Sequence, residues 1–181
     1  DLAHITGNFQ SVGSRCFSGR CNVRPGYFLL FSIFPHMNSS AQTSPELLLP
    51  VGTREMLEAA VNNGADAVYF GVPHWNARGR TEDFTFDDVR DMIRYARIHG
   101  VRTFLAMNVL VFERELQELP EFLEKIISLE PDAFIIQDIG LARLIRAICP
   151  NQEIHASTQM TLASAEGVNL VKSIGFNRHH L

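Results

Sequence analysis

The groups in this chain that could do chemistry lie at the ends of short apolar runs. The most informative set is in Ile154–Thr158 and the residue after it. Residues two apart on an extended strand share a face, so His155, Ser157 and Gln159 point one way and Ile154, Ala156 and Thr158 the other. Three polar groups on one face of a buried strand need hydrogen-bond partners. The wet mouth of a barrel would supply them, and so would a network that merely fills the barrel's top layer. Asp138, beside Gln137, adds a carboxylate to the imidazole of His155 and the hydroxyl of Ser157, the components of a serine hydrolase. Against that, no G-x-S-x-G elbow surrounds Ser157, and a triad is defined by geometry rather than by composition. Asn76, Arg78 and Asn108 stand after two other apolar runs. An arginine there offers a planar fork for a phosphate or carboxylate. No glycine-rich nucleotide loop is present, and Glu113, Glu115, Glu118, Glu121 and Glu124 read as a solvated helix face.

The elements that would position these groups alternate. Glu46–Val51, Ala67–Phe70, Thr103–Asn108, Ala133–Gln137 and Ile154–Thr158 are apolar throughout, as buried parallel strands are. Between them lie helical stripes. Thr53 caps the first, which Gly64 ends; Thr85 caps the second, which Gly100 ends. The third spans Glu113–Leu129, with Pro120 arguing for a start nearer Leu119. Leu141–Ile148 and Ser164–Ile174 complete the series. The joints NNGADAVYF, RIHGVRTFL and SLEPDAFII each run from a helix end through Gly or Pro and a polar residue into a strand. This weak repeat fits (β/α) units. An open doubly wound sheet fits the pattern nearly as well. Closely spaced strands, each with a polar residue at its C-terminal end, favour the barrel, and in both architectures the site lies at those ends.

Composition is that of an ordinary globular α/β protein: 181 residues, 46% hydrophobic, 20% charged, formal net charge −4. A complete eight-stranded α/β barrel takes about 250 residues, so about five βα units imply an incomplete one. Cys16, Cys21 and Cys149 form no C-x-x-C pair and no disulfide framework, which favours a reducing compartment. No metal site is expected. No apolar run reaches the roughly 20 residues that span a bilayer, so no membrane partner is expected. Tyr27–Phe34 is a faint copy of a secretory signal. The stronger reading takes Met37 as the natural start, with 1–36 as upstream extension. Residues 1–44 are thus expected to be irregular or disordered, and 45–181 to form the N-terminal part of a (β/α) barrel.

From Pro45 to about Arg178 the chain resembles the collagenase-like peptidases, family thirty-two of the peptidases of unknown catalytic type. The resemblance is carried by ELLLPVG, GADAVYFG, Asn76-Ala77-Arg78 leading to Phe84-Thr85, MNVLVFERELQEL, IIQDIGL and IHASTQ, all in one order and register. Three departures stand out: Leu49-Pro50-Val51-Gly52 replaces a more usual Ala-Pro-Ala-Gly, Arg78-Gly79-Arg80 replaces a smaller residue after the arginine, and the tail reads His179-His180-Leu181 where a sixth apolar strand should open. That tail reads as a truncation or frameshift.

The resemblance implies a TIM-type barrel and a peptidase acting on peptide or protein substrates. Its candidate catalytic residues are His155, Asp138 and Ser157, with Asn76, Arg78, Asn108, Gln137 and Gln159 binding substrate. Other members of that family hydroxylate a base in transfer or ribosomal RNA, or help to hydroxylate ubiquinone. For these, the resemblance implies a 4Fe-4S cluster in the full-length parent, held by cysteines beyond this region, with RNA as one class of partner. No cofactor is expected in the present region, Cys149 is not a cluster ligand, and a cytoplasmic location follows. A third expectation is an inactive truncated product with exposed strand edges.

Overall fold

The computed structural model of the chain describes residues 45–76 and 84–180. The extension expected over 1–44 lies outside them, as do Arg78 and Arg80. From Glu46 onward the chain clusters as one compact unit. Its elements, in chain order, are β1 (Leu48–Pro50), α1 (Arg54–Asn62), β2 (Ala67–Gly71), α2 (Phe86–Ile98), β3 (Arg102–Met107), α3 (Leu119–Ser128), β4 (Ala133–Ile136), α4 (Ile139–Ile148), β5 (Glu153–Ala156), α5 (Ala165–Ile174) and β6 (Arg178–His179).

Every strand pairs in parallel with its neighbour in sequence, in the order β1 to β6. A doubly wound sheet reverses its strand order at a switch point; this sheet does not. It curls as a half-barrel with the helices outside. The sixth strand is a correction to the sequence reading. Asn177–His180 lacks the apolar run that a buried strand usually shows, yet Arg178 and His179 pair with His155 and Ala156. Among the described residues no helix is long and apolar enough to cross a membrane.

Side-chain caps set the helix starts. Thr53 Oγ1 accepts from Met56 N at 3.2 Å. Thr85 and Asp88 form a reciprocal capping box, with Asp88 N donating to Thr85 Oγ1 at 3.2 Å and Thr85 N to Asp88 Oδ2 at 2.8 Å. Pro120 lies in the first turn of α3, where its missing N–H leaves no bond unmade. Helix α3 therefore starts at Leu119, the start that Pro120 argues for, and the segment before it holds a separate 3-10 turn, Glu113–Glu115.

Gly64 (φ +82°) and Gly100 (φ +74°) end α1 and α2 in the left-handed region, where a Cβ is costly. The joint after α3 has no glycine. Glu130 itself takes φ +56° there, and Arg97 holds it by donating to the Glu130 carbonyl at 2.6 Å.

The polar residue at the joints has a specific task. Asp66, just before β2, accepts from Leu47 N at 2.7 Å. Asp132, before β4, accepts from Thr103 N at 2.8 Å, and Asn177, before β6, accepts from Ile154 N at 3.0 Å. Each ties an even-numbered strand to the start of the odd-numbered strand before it.

The two faces of the sheet differ. Val68, Phe70, Leu105, Met107, Phe134, Ile136, Ile154 and Ala156 pack outward against Leu57, Val89, Ile93, Leu119, Leu123, Ile126, Leu141, Ile145 and Val171 of the helices. Fully burying one such side chain contributes about 1.5–3 kcal/mol. The concave face has a smaller apolar set: Ala67, Phe104, Ala106, Ala133 and Ile135, with Leu48 and Tyr69. Below it is an ionic clamp. Glu46, just before β1, accepts from Arg102 of β3, and from Arg178 Nη1 of β6 at 2.5 Å. Both guanidinium groups also lie over the ring of Phe104, at 5.4 and 5.7 Å from its centroid.

The clamp joins the two edges of the sheet across its hollow side. Removing the carboxylate leaves two half-buried arginines without their partner. Glu46→Ala is expected to lower the unfolding free energy by about 2 kcal/mol, read as a reduced urea midpoint. An unchanged midpoint would mean that water serves the arginines equally well.

Candidate functional site

Two places hold the polar side chains: the rim formed by the C-terminal ends of the strands, and the concave face beneath it. At the rim, β2 leads into a tight turn. Trp75 N donates to Pro73 O at 2.8 Å, a γ-turn whose central residue, His74, sits at φ +63°. Such turns are rare and strained. Asn76 folds back, its Nδ2 donating to Val72 O at 2.6 Å. It packs so closely on Gly71 that a Cβ there would lie 2.5 Å from Asn76 Cγ. Asn108 follows β3 and Gln137 follows β4, both half-buried. Gln137 Nε2 reaches Gln159 O at 3.4 Å, so these two candidate residues do meet at the rim.

The proposed acid–imidazole–hydroxyl set is placed differently. Asp138 is the N-cap of α4. Its Oδ1 accepts from Leu141 N at 2.8 Å and its Oδ2 from Val111 N at 3.5 Å. Strand β5 ends at Ala156, and Ser157 caps the 3-10 turn Thr158–Met160, its Oγ accepting from Gln159 N at 3.2 Å. The alternation expected through Gln159 therefore stops at Ser157, and Gln159 is exposed. His155 is bonded to neither Asp138 nor Ser157.

His155 instead lies on the concave face, fully buried. Its Nε2 meets Glu153 Oε1 at 2.8 Å and its Nδ1 meets His180 Nε2 at 3.3 Å. The edge of its ring stands against Phe104, centroids 4.7 Å apart. Glu153 and His180 escaped the sequence reading. Their signal was the same period of two: Glu153 precedes His155 by two residues, and Arg178 and His180 repeat the spacing on β6. His179 faces the other way, and its Nδ1 is buried without a partner.

Burial pushes the His155 imidazole below its ordinary pKa. The hydrogen bond and charge of Glu153 oppose the shift, and Arg178 and His180 reinforce it. His180 is lowered too, first by burial and then by Arg178, with Glu46 opposing and His179 adding slightly.

Among the described residues no group of three His, Cys, Asp or Glu side chains could hold a metal ion. One described cysteine, Cys149, is buried at the end of α4. An iron–sulfur cluster needs several thiolates, so the described residues do not themselves fit one.

An all-parallel, sequentially ordered half-barrel, with polar groups at its C-terminal rim and in its hollow, belongs to the (β/α)-barrel class. Within that class the chain is a member of peptidase family U32, whose sequence profile matches residues 52–181. It is 37% identical over 134 residues to the "tRNA hydroxylation protein P" of Helicobacter pylori, covering 74% of this chain and 32% of that protein. It is 30% identical over 124 residues to the "Collagenase" of Porphyromonas gingivalis, covering 68% of this chain and 30% of that protein. A solved U32 peptidase superposes with a TM-score of 0.65 at 16% identity, over 81% of this chain and 61% of that one. That likeness concerns the fold. The chain thus spans about a third of the length of these curated relatives.

Because burial depresses the pKa values of His155 and His180, the unfolded chain binds more protons than the folded one in mildly acidic solution. Stability therefore rises with pH between the depressed folded pKa and the ordinary histidine value of 6.5. Lowering the pH from about 7.5 to about 5.5 is expected to lower the thermal midpoint. In His155→Gln the slope is expected to flatten, and an identical slope would place the titrating group elsewhere.

Proposed function

We propose that this chain is a barrel segment of an RNA-modifying enzyme that takes part in hydroxylating a base of transfer RNA, with RNA as its partner and the cytoplasm as its location. The observation carrying this reading is the 37% identity to a tRNA hydroxylation protein across 134 residues. The site geometry supports it. Asp138 and Ser157 cap local turns, and neither is bonded to His155. At the rim the exposed Gln159 carries an amide group of the type suited to reading a base edge by paired hydrogen bonds, beside Gln137, while the Asn76 amide shapes its own turn. Arg78 offers a fork for the phosphate backbone. Any 4Fe-4S cluster of the whole enzyme would rest on cysteines other than Cys149.

A second reading is peptide hydrolysis, favoured by the similarity to a collagenase. One chimera separates the two. Residues 45–180 of this chain replace the matching segment of the Helicobacter pylori protein in a strain lacking it, and transfer RNA is examined by nucleoside mass spectrometry. The hydroxylase reading expects nucleosides heavier by one oxygen to return. A chimera that folds cooperatively, leaves the RNA unmodified and cleaves collagen would replace it with the peptidase reading. Within the chimera, Ser157→Ala is expected to leave hydroxylation within about threefold, at the cost of about 1 kcal/mol from the lost turn cap. A loss beyond a hundredfold in a folded protein would restore Ser157 to the chemistry.

A further inference from the structure

The half-buried Glu153, the buried His155 and its neighbour His180 form a chain of hydrogen bonds whose direction follows from valence alone. An ionised carboxylate accepts and cannot donate. The ring nitrogen facing Glu153 Oε1 at 2.8 Å, His155 Nε2, therefore carries the hydrogen. A neutral imidazole has one N–H and one lone pair, so His155 Nδ1 is an acceptor. The group facing it at 3.3 Å, His180 Nε2, then carries its own hydrogen. Neutral His180 is left with its lone pair on Nδ1. Among the described residues nothing is bonded to that atom, and it is not sealed in: the buried side-chain nitrogen without a partner is His179 Nδ1, on the opposite face.

We infer that the hollow of the half-barrel holds a proton-accepting site: Nδ1 of His180, oriented by Glu153 and His155, for a ligand presenting an N–H or O–H group. The ligand's proton would pass to Nδ1, leaving the ligand as its conjugate base and His180 as an imidazolium. His155 can then take the Nε2 proton's hydrogen bond more strongly, with the Glu153 carboxylate balancing the charge. In this arrangement Glu153 and His155 are positioning residues, and His180 is the one that meets ligand. The other charged groups on this face are Glu46, Arg102 and Arg178, already joined to one another, with Tyr69 of β2 nearby on the same side. The surroundings keep both rings neutral near pH 7, in line with their lowered pKa values. The inference goes beyond the RNA reading and stands without it, because it concerns this chain's own hydrogen-bond order.

The test uses the full chain with nitrogen-15 histidine and long-range proton–nitrogen NMR at about pH 7.5, about one unit above the ordinary histidine value. Signals are assigned with His155→Gln and His180→Gln. Both rings are expected to be neutral and protonated at Nε2. In Glu153→Ala, with signal dispersion retained, both are expected to become tautomer mixtures. If that variant does not fold, Glu153→Gln keeps an acceptor oxygen without the charge. There the tautomers are expected to stay and the His155 titration to move to lower pH. Diethyl pyrocarbonate, followed by mass spectrometry, is expected to label His180 at least tenfold faster than His155. An Nδ1–H or imidazolium form of His180, tautomers indifferent to Glu153→Ala in a folded protein, a titration unmoved by Glu153→Gln, or preferential labelling of His155 would each overturn the inference.

Discussion

The carboxylate of Glu46 ties together the two edges of the described sheet. A parallel sheet of six strands has two edges, and nothing in strand pairing alone decides how far they curl toward each other. Glu46 lies at the β1 edge and bonds Arg178 at the β6 edge, 132 residues away, while also holding Arg102 in the middle of the sheet. The clamp is anchored on Phe104, over which both guanidinium groups lie. Each side chain is a quarter to a third exposed, so the charges are only partly desolvated and their attraction is not cancelled by a full burial cost. Curvature puts the polar ends of the strands around one rim and gathers Glu153, His155 and His180 in one hollow.

Much of this architecture is legible in the sequence because it is written in periodicity. The strand runs and helical stripes identify the alternating elements, and Thr53, Thr85, Gly64 and Gly100 mark their ends. The choice between barrel and doubly wound sheet is not written that way. It depends on which strands are neighbours, and only the pairing register settles it. The sixth strand was hidden for a different reason. Arg178 and His180 turn toward the hollow, where polar groups find Glu46 and His155, so the strand lacks the apolar signature that the others have.

The site is legible in part. Gln137 Nε2 meets Gln159 O at the rim, although Gln159 lies in the turn after β5 rather than on the strand face. Residue types alone grouped Asp138, His155 and Ser157, yet two of them are caps. Asp, Ser and Thr compete for backbone N–H groups at helix starts, and Asp138 precedes a helix whose first residue, Ile139, lies two positions before the first apolar residue of the stripe. The sequence shows the residue types; which backbone amide each oxygen meets is a matter of local chain geometry.

The joints carry a longer consequence. Asp66, Asp132 and Asn177 each bind back to the odd-numbered strand before them, so the staples recur every two βα units rather than every one. These accepting staples group the strands as β1 with β2, β3 with β4 and β5 with β6, while Gln152 adds a donating link from the start of β5 to the start of β4. A lineage that grew or shuffled this barrel by duplication would keep all three accepting staples only by cutting between pairs. Descent by doublets would leave the even joints with an accepting oxygen, while the odd joints differ in kind: Val101 before β3 is apolar, and Gln152 before β5 donates from Nε2 to Pro131 O and Asp132 O at 3.3 and 3.5 Å.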